Sequence, residues 1–383
     1  MIFGSEYMKI LLINAVCGTG STGKICAELA EKYEKDGHEV KIAYGRHAYV
    51  PEEYQKYAVR IGNGWDVKLH VLKTRIADRH GLGSVRATKR FLEWAENYSP
   101  DLLWIHNIHG YYINYEMLFV WIKKHPNMEV KWTLHDCWAF TGHCSHFSYV
   151  NCDQWKTICE KCVQKNRYPS SFADYCQDNF KRKKASFTGV ENMTLITPSK
   201  WLADLVQKSF LKEYEVEVIY NTVNTEIFKP VSGNFRKRYG LSDKKIILGV
   251  SNVWDDRKGF DDFIKLSYML DENYAIVLIG LDNKQMKRIP RNVLGIKRTN
   301  NQKELAEIYS VADVFLNLSK EETFGMTTVE AISCGTPAVV LKGTACEEIV
   351  NRFGGIAVPY DFEAICRSIF EQTKARENIG YNF

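Results

Sequence analysis

No run of apolar residues in this chain approaches the ~20 needed to span a bilayer, so no transmembrane helix is expected. The N-terminal ILLINAV lacks the basic flank and cleavage site of a secretory signal. It reads as a buried first strand, with Met8 as a candidate start. Both absences predict a cytoplasmic protein. Strong charge of one sign is missing too: 51 Lys and Arg against 46 Asp and Glu leave a net +5, spread along the chain. That is too weak to argue for nucleic acid, but it suits anionic small molecules or transient contact with an anionic membrane surface. There is no short internal repeat and no low-complexity segment, which excludes a repeat array. The 11 cysteines are an odd number, and Cys17, Cys26, Cys334 and Cys366 fall inside strand or helix patterns. Reduced thiols fit that usage better than a disulfide framework.

What the chain does have is length and alternation. Its 383 residues, 45% hydrophobic and 25% charged, are those of a globular protein of two domains. KILLINAV is a continuous apolar strand of the kind covered on both faces in a parallel sheet. The Gly-rich GTGSTGK follows, then the amphipathic KICAELAEKYEKDG, closing on Gly37, and a second strand, EVKIAYG. This is a βαβ unit with a glycine turn at its first crossover. Further strands are expected at DLLWIHNI, VKWTLHD, NMTLITPS and VEVIYN. A second set begins near Lys244 with KIILGVSN, YAIVLIG, VLGIKR, ADVFLNLS and TPAVVLK. The fold class is therefore α/β, with two Rossmann-like doubly wound domains facing across a cleft, at residues 1–228 and 229–383. The turn-rich, charged NTEIFKPVSGNFRKRYG reads as the linker.

Residues 317–340, NLSKEETFGMTTVEAISCGTPAVV, carry the most chemistry. A strand delivers the chain to a loop with paired carboxylates, Glu321 and Glu322. A turn at Phe324-Gly325 opens a helix carrying Glu330, which stops at Cys334-Gly335-Thr336-Pro337. A helix N-terminus suits an anionic ligand. A carboxylate further along cannot bind a phosphate but can accept hydrogen bonds from a sugar's hydroxyl pair. Together they describe a site for a sugar attached to a diphosphate. The plain alternative is an ordinary strand–loop–helix unit with two solvated glutamates.

Other constellations support or qualify that site. GTGSTGK at residues 18–24 nearly matches a phosphate-binding P-loop, but Ile25 stands where a magnesium-ligating hydroxyl is required. Gly18, Gly20 and Gly23 instead give clearance for backbone amides to approach a ligand, or simply make a tight turn. In SNVWDDRKGF (251–260), Arg257 and Lys258 fall at the end of a strand, where fixed cations can neutralise a departing diphosphate. His106 and His109 follow one strand, and His135 with Asp136 another, so these side chains can meet sugar hydroxyls or shuttle a proton. Cys144, Cys152, Cys159 and Cys162, spaced x7, x6 and x2 within the insertion 137–162, can hold a structural zinc, with His143 and His146 in reserve. Free buried thiols and disulfides are the alternatives. The basic run KRKK at 181–184 can touch anionic lipid or form a solvated helix face.

These residues resemble the retaining GT-B glycosyltransferases of family 4, the glycosyl transferases group 1 domain. The resemblance is strongest at TPSKWLADLV, VIYNTVNTEIFKP, the RKGF segment and EETFGMTTVEAISCGTPAVV, which departs from the family signature only at Ala338. HNIHGYY, TLHDCWAFTGHC and the later cysteines look like the subgroup serving bacterial capsule, colanic-acid-type and exopolysaccharide synthesis. The resemblance implies a hexosyltransferase-class enzyme taking a UDP- or GDP-sugar. Glu330 would bind the donor's ribose, and Glu322 the transferred sugar, near the Phe324, Gly325 and Met326 amides. Arg257 and Lys258 would hold the diphosphate, and Gly20 would lie near donor and acceptor. His135 would sit at the reacting centre. His106, His109 and Asp136 would meet a glycan acceptor, lipid-linked, at the inner face of the plasma membrane. No catalytic metal is implied, in keeping with the lack of an Asp-x-Asp motif. The glycine loop lacks the family's common double-glycine form. By the same resemblance, the last helix would cross back onto the first domain. A GT-B nucleotide-sugar epimerase and a zinc-dependent nucleic-acid-binding protein are the rival readings.

Overall fold

The structure, a computed structural model, describes residues 7–46 and 49–378. It forms two compact units, divided between Ile219 and Tyr220, with Ser199–Trp201 belonging to the second.

The first unit contains β1 (Lys9–Ile13), β2 (Glu39–Tyr44), β3 (Ala58–Arg60), β4 (Leu102–Ile105), β5 (Glu129–Thr133), β6 (Met193–Thr197) and β7 (Val216–Val218). They pair in the order β3-β2-β1-β4-β5-β6-β7, every pairing parallel. Ile10 to Ile13 are wholly buried, as a central parallel strand covered on both faces requires. The connecting helices are α1 (Gly20–Lys35), α2 (Gly64–Ala77), α3 (Val85–Tyr98), α4 (Tyr115–Ile122), α5 (Cys176–Phe187) and, from Leu202 onward, α6 (Lys200–Val206). Cys26, Ala27 and Ala30 form the buried stripe of α1.

The second unit contains β8 (Lys245–Val250), β9 (Tyr274–Ile279), β10 (Val293–Ile296), β11 (Val314–Asn317), β12 (Ala338–Leu341) and β13 (Ile356–Val358). Its parallel order is β10-β9-β8-β11-β12-β13. The helices are α7 (Phe235–Arg238), α8 (Phe260–Ser267), α9 (Gln302–Val311), α10 (Met326–Ser333), α11 (Ala345–Phe353) and α12 (Phe362–Asn378). In both units the chain winds outward from one central strand and returns to its other side. The switch points lie between β1 and β4 and between β8 and β11. Loops leaving the strand C-termini at a switch point form the crevice of such a sheet.

Two expectations change. The stretch read as a linker is packed: Phe228 and Phe235 are buried in the second core, with Ile227 and Val231 against it. The units accordingly part before residue 220, earlier than the expected 228. Helix α12 packs in the second unit, where Ile365 and Ile369 are buried in the core. Arg376 also donates to the Ser310 carbonyl (2.5 Å), tying the helix to the end of α9. The end of the expected terminal segment, from residue 379, lies outside the described residues.

Candidate active site

The second unit's switch point joins two loops. Residues 251–259 leave β8 and residues 318–325 leave β11. The Lys320 N–H donates to the Arg257 carbonyl (2.8 Å), and Arg257 Nη1 donates to the Glu321 carbonyl (2.9 Å). Gly259, at φ +76°, brings the first loop so close that a Cβ there would meet Leu318 at 2.8 Å. Lys258 Nζ forms an ion pair with Glu322 Oε1, their side chains only 19% and 14% exposed. The two segments singled out in the sequence are therefore neighbours, and Lys258 and Glu322 are joined directly.

Helix α10 begins beside this pair. Gly325 takes φ +92°, and a Cβ would lie 2.4 Å from Cys346 Sγ, so no other residue fits without rearrangement. No acidic side chain occupies the first turn of α10, whose end carries the positive pole of the helix dipole. Phe324 is buried against Val329 and Ile349, which leaves only its backbone to a ligand. Farther along, half-buried Glu330 accepts a hydrogen bond from Tyr309 Oη (2.9 Å). Burial, reinforced by Glu330, holds the Tyr309 phenol protonated, so it stays a donor and fixes the carboxylate. The Tyr309–Glu330 bond and, in the 318–325 loop, the Lys320–Asp262 pair (3.0 Å) were not legible in the sequence, since both are long-range partnerships.

The first unit brings His106, His109 and His135 together at the ends of β4 and β5. His106 Nδ1 lies 3.0 Å from His135 Nε2, with the rings stacked at 17°. Burial lowers His135 to about 4, Asp136 opposing and His109 adding, and it holds His106 well below the usual imidazole range, with His135 adding. Both rings are neutral near pH 7, so one N–H donates to the other's lone pair. His106 is 2% exposed with its ring engaged by His135. His109 Nε2 stands 2.9 Å from Asp136 Oδ2. Burial alone would raise the Asp136 carboxyl, but the charge and hydrogen bond of His109 outweigh it and hold the group well below the carboxylate range. His106, Asn107, His109, His135 and Asp136 line a narrow recess.

The glycine loop is tied to this cluster through Asn14, whose Oδ1 accepts the Asn107 N–H (3.3 Å) and whose Nδ2 donates to the Val16 carbonyl (2.8 Å). The space beside Gly18 is taken by Tyr54 and that beside Gly23 by Val16, so their smallness serves packing rather than a ligand. Gly20 alone of the three faces open space.

Two further groups were singled out in the sequence. Cys144 and Cys162 share a thiol hydrogen bond that lowers Cys162 to about 7, while Cys159 accepts the Gly142 N–H (3.2 Å). Cys152 acts on Cys144 and Cys159 electrostatically, so the four sulfurs gather in one region. As placed, no three His, Cys, Asp or Glu among the described residues take up a metal-holding geometry. His143, a reserve ligand in the sequence reading, is buried against Asp78 Oδ1 at 2.6 Å. The basic run 181–184 is not a free patch. Arg182 pairs with Glu116 and Asp178 (3.0 and 2.9 Å), and buried Lys183 donates to the carbonyls of Trp138 and Thr141.

Comparison with known proteins gives this geometry a family. Residues 22–227 match the model described as Glycosyltransferase Family 4, and residues 231–382 match Glycosyl transferases group 1. WcaC of Escherichia coli (strain K12), named as a colanic acid biosynthesis glycosyl transferase, is 22% identical, covering 92% of this chain and 87% of its own. Sucrose-phosphate synthase from Thermosynechococcus elongatus superposes with a TM-score of 0.68 at 16% identity, over 97% and 90% of the two chains. Anabaena HepE, solved with UDP-glucose, superposes with a TM-score of 0.63 at 16% identity, over 97% and 91%. The two family matches run almost end to end, and the chain belongs to Glycosyltransferase Family 4, a glycosyltransferase with two Rossmann-like domains of the GT-B kind.

Proposed function

We propose that this enzyme transfers a sugar from a nucleoside-diphosphate sugar to a lipid-linked glycan in bacterial surface polysaccharide synthesis, such as capsule or exopolysaccharide, with retention of anomeric configuration. The observation that carries the reading is the junction of Arg257 and Lys258 with the Glu322–Glu330 element at one switch point. Arg257 and Lys258 neutralise the diphosphate, assisted by the amides at the start of α10. Glu330, oriented by Tyr309, accepts hydrogen bonds from the ribose, and Glu322 from the transferred sugar. His135, held by His106, is the catalytic group of the first unit. Asp136 and His109 receive the acceptor hydroxyl. Fixed cations supply the charge stabilisation, so no catalytic metal is needed in this scheme.

A nucleotide-sugar donor is supported by the HepE structures with UDP and UDP-glucose. A surface-polysaccharide role is supported by WcaC and by the structural likeness to WaaB, a lipopolysaccharide outer core galactosyltransferase. The location proposed is the cytoplasmic face of the membrane, as a peripheral protein. No helix among the described residues is long and apolar enough to cross a membrane. A structural zinc on Cys144, Cys152, Cys159 and Cys162 is proposed from the gathering of their sulfurs, which would have to draw closer together. Elemental analysis of purified protein decides it: one zinc per chain supports the assignment, and none dismisses it.

Donor turnover in the presence and absence of a glycan acceptor tests the function. Acceptor-dependent transfer with the donor's anomeric configuration preserved in the product, read by NMR, is the expected result. Turnover of free nucleotide sugar with no acceptor would instead identify an epimerase.

A further inference from the structure

Helix α2 exposes an apolar stripe of the kind a surface helix normally buries. Trp65, Leu69, Leu72 and Ile76 are 72%, 63%, 54% and 60% exposed. At 3.6 residues per turn, their spacing of four, three and four places them along one face. The opposite face seats the helix with His70 and Thr74 buried. His70 Nε2 accepts the N–H groups of Gly81 and Gly83 (3.0 and 3.1 Å), and Thr74 Oγ1 donates to the His70 carbonyl. A capping box between Asn63 and Asp66 fixes the helix start. The helix is therefore built and held without its four large apolar residues.

The stripe has cations on both flanks. Lys68 and Arg75 border one side and Lys73 the other, all exposed, with Lys73 Nζ also donating to the Leu82 carbonyl (3.1 Å). Lys68 Nζ lies 4.6 Å from the Trp65 ring centroid. The one acidic residue of the helix, Asp66, is engaged by the Asn63 N–H (2.9 Å). Phe172, 81% exposed, extends the patch, because its N–H donates to the Arg75 carbonyl (2.8 Å).

We propose that this face of α2, with Phe172, docks the protein on an anionic lipid surface, the helix lying in the membrane plane. Charge complementarity selects that occupant. The flanking ammonium and guanidinium groups meet lipid phosphates while the apolar stripe enters the headgroup boundary and Trp65 takes an interfacial position. A second copy fits poorly, since a twofold-related partner would bring like charges together. The inference deepens the peripheral-membrane part of the proposed function and moves the lipid contact away from residues 181–184.

The test is co-sedimentation of the full chain with vesicles of phosphatidylcholine containing about one-third phosphatidylglycerol, against vesicles of phosphatidylcholine alone. The wild type sediments with the anionic vesicles, less so in high salt. Trp65→Ser/Leu69→Ser/Leu72→Ser weakens this by about tenfold or more, and Lys68→Glu by about fivefold or more. Transfer to a water-soluble acceptor stays unchanged in both variants. Equal vesicle binding by wild type and triple variant would overturn the docking face, as would a wild-type dimer that the triple variant dissolves. Absence of transfer with vesicle binding intact would count against the enzymatic reading alone.

Discussion

Lys258 and Glu322, 64 positions apart in the chain, form an ion pair that joins the loop after β8 to the loop after β11. The cation assigned to the diphosphate is thus held by the carboxylate assigned to the sugar. A donor must draw the two apart, phosphate taking the ammonium and sugar hydroxyls taking the carboxylate. Glu322→Ala should therefore leave the affinity for a free nucleoside diphosphate equal or higher, while turnover falls ~10²-fold through lost sugar contacts. Calorimetry with the diphosphate alongside steady-state rates separates the two effects. Weaker diphosphate binding in the variant would mean that the pair serves to hold the loop.

Arg257 reaches across the same junction to the Glu321 carbonyl. If its guanidinium stabilises leaving-group charge, Arg257→Ala lowers kcat by ~10²-fold or more, with a smaller effect on donor Kd. An unchanged rate would remove Arg257 from the site.

Glu330 and Tyr309 can be distinguished by degree. Glu330→Ala removes hydrogen bonds to a charged group and should weaken donor binding about 10- to 100-fold. Tyr309→Phe removes only the bond that orients the carboxylate and should cost about fivefold. Thermal shift with the donor reads both, because bound ligand raises the melting temperature by mass action.

The histidine pair gives the first unit a pH dependence of known sign. His135 titrates near 4 in the folded protein, against an ordinary value of 6.5, with burial as the main cause. Between those values the unfolded chain takes up a proton that the folded protein refuses. Stability is therefore full above pH 6.5 and falls as the pH drops toward 4, by up to about 1.4 kcal/mol per pH unit from this group. Urea unfolding of wild type and His135→Gln across that window should show a shallower acid loss in the variant.

The strands that proved legible in the sequence are the continuous apolar runs, since Ile10 to Ile13 or Ile246 to Leu248 are covered on both faces and announce it locally. The three-residue β3 and β13 were missed because Ala58, Val59, Ile356 and Ala357 are only half-buried, leaving a weak pattern. The neighbouring placement of Arg257 and Glu322 could be anticipated, since both follow strands whose ends meet at a switch point. Their local partners could not. Nothing near Lys183 in the chain signals that it lies beneath Trp138, and nothing near His106 signals that His135 takes up its ring. Such roles are decided by contacts between residues tens of positions apart.

Titration calorimetry of the full chain with UDP-, GDP- and ADP-sugars tests the central claim most directly. The account predicts saturable uptake of at least one nucleotide sugar and its marked weakening by Glu330→Ala. Failure of every activated sugar to bind, or binding indifferent to Glu330, would contradict it.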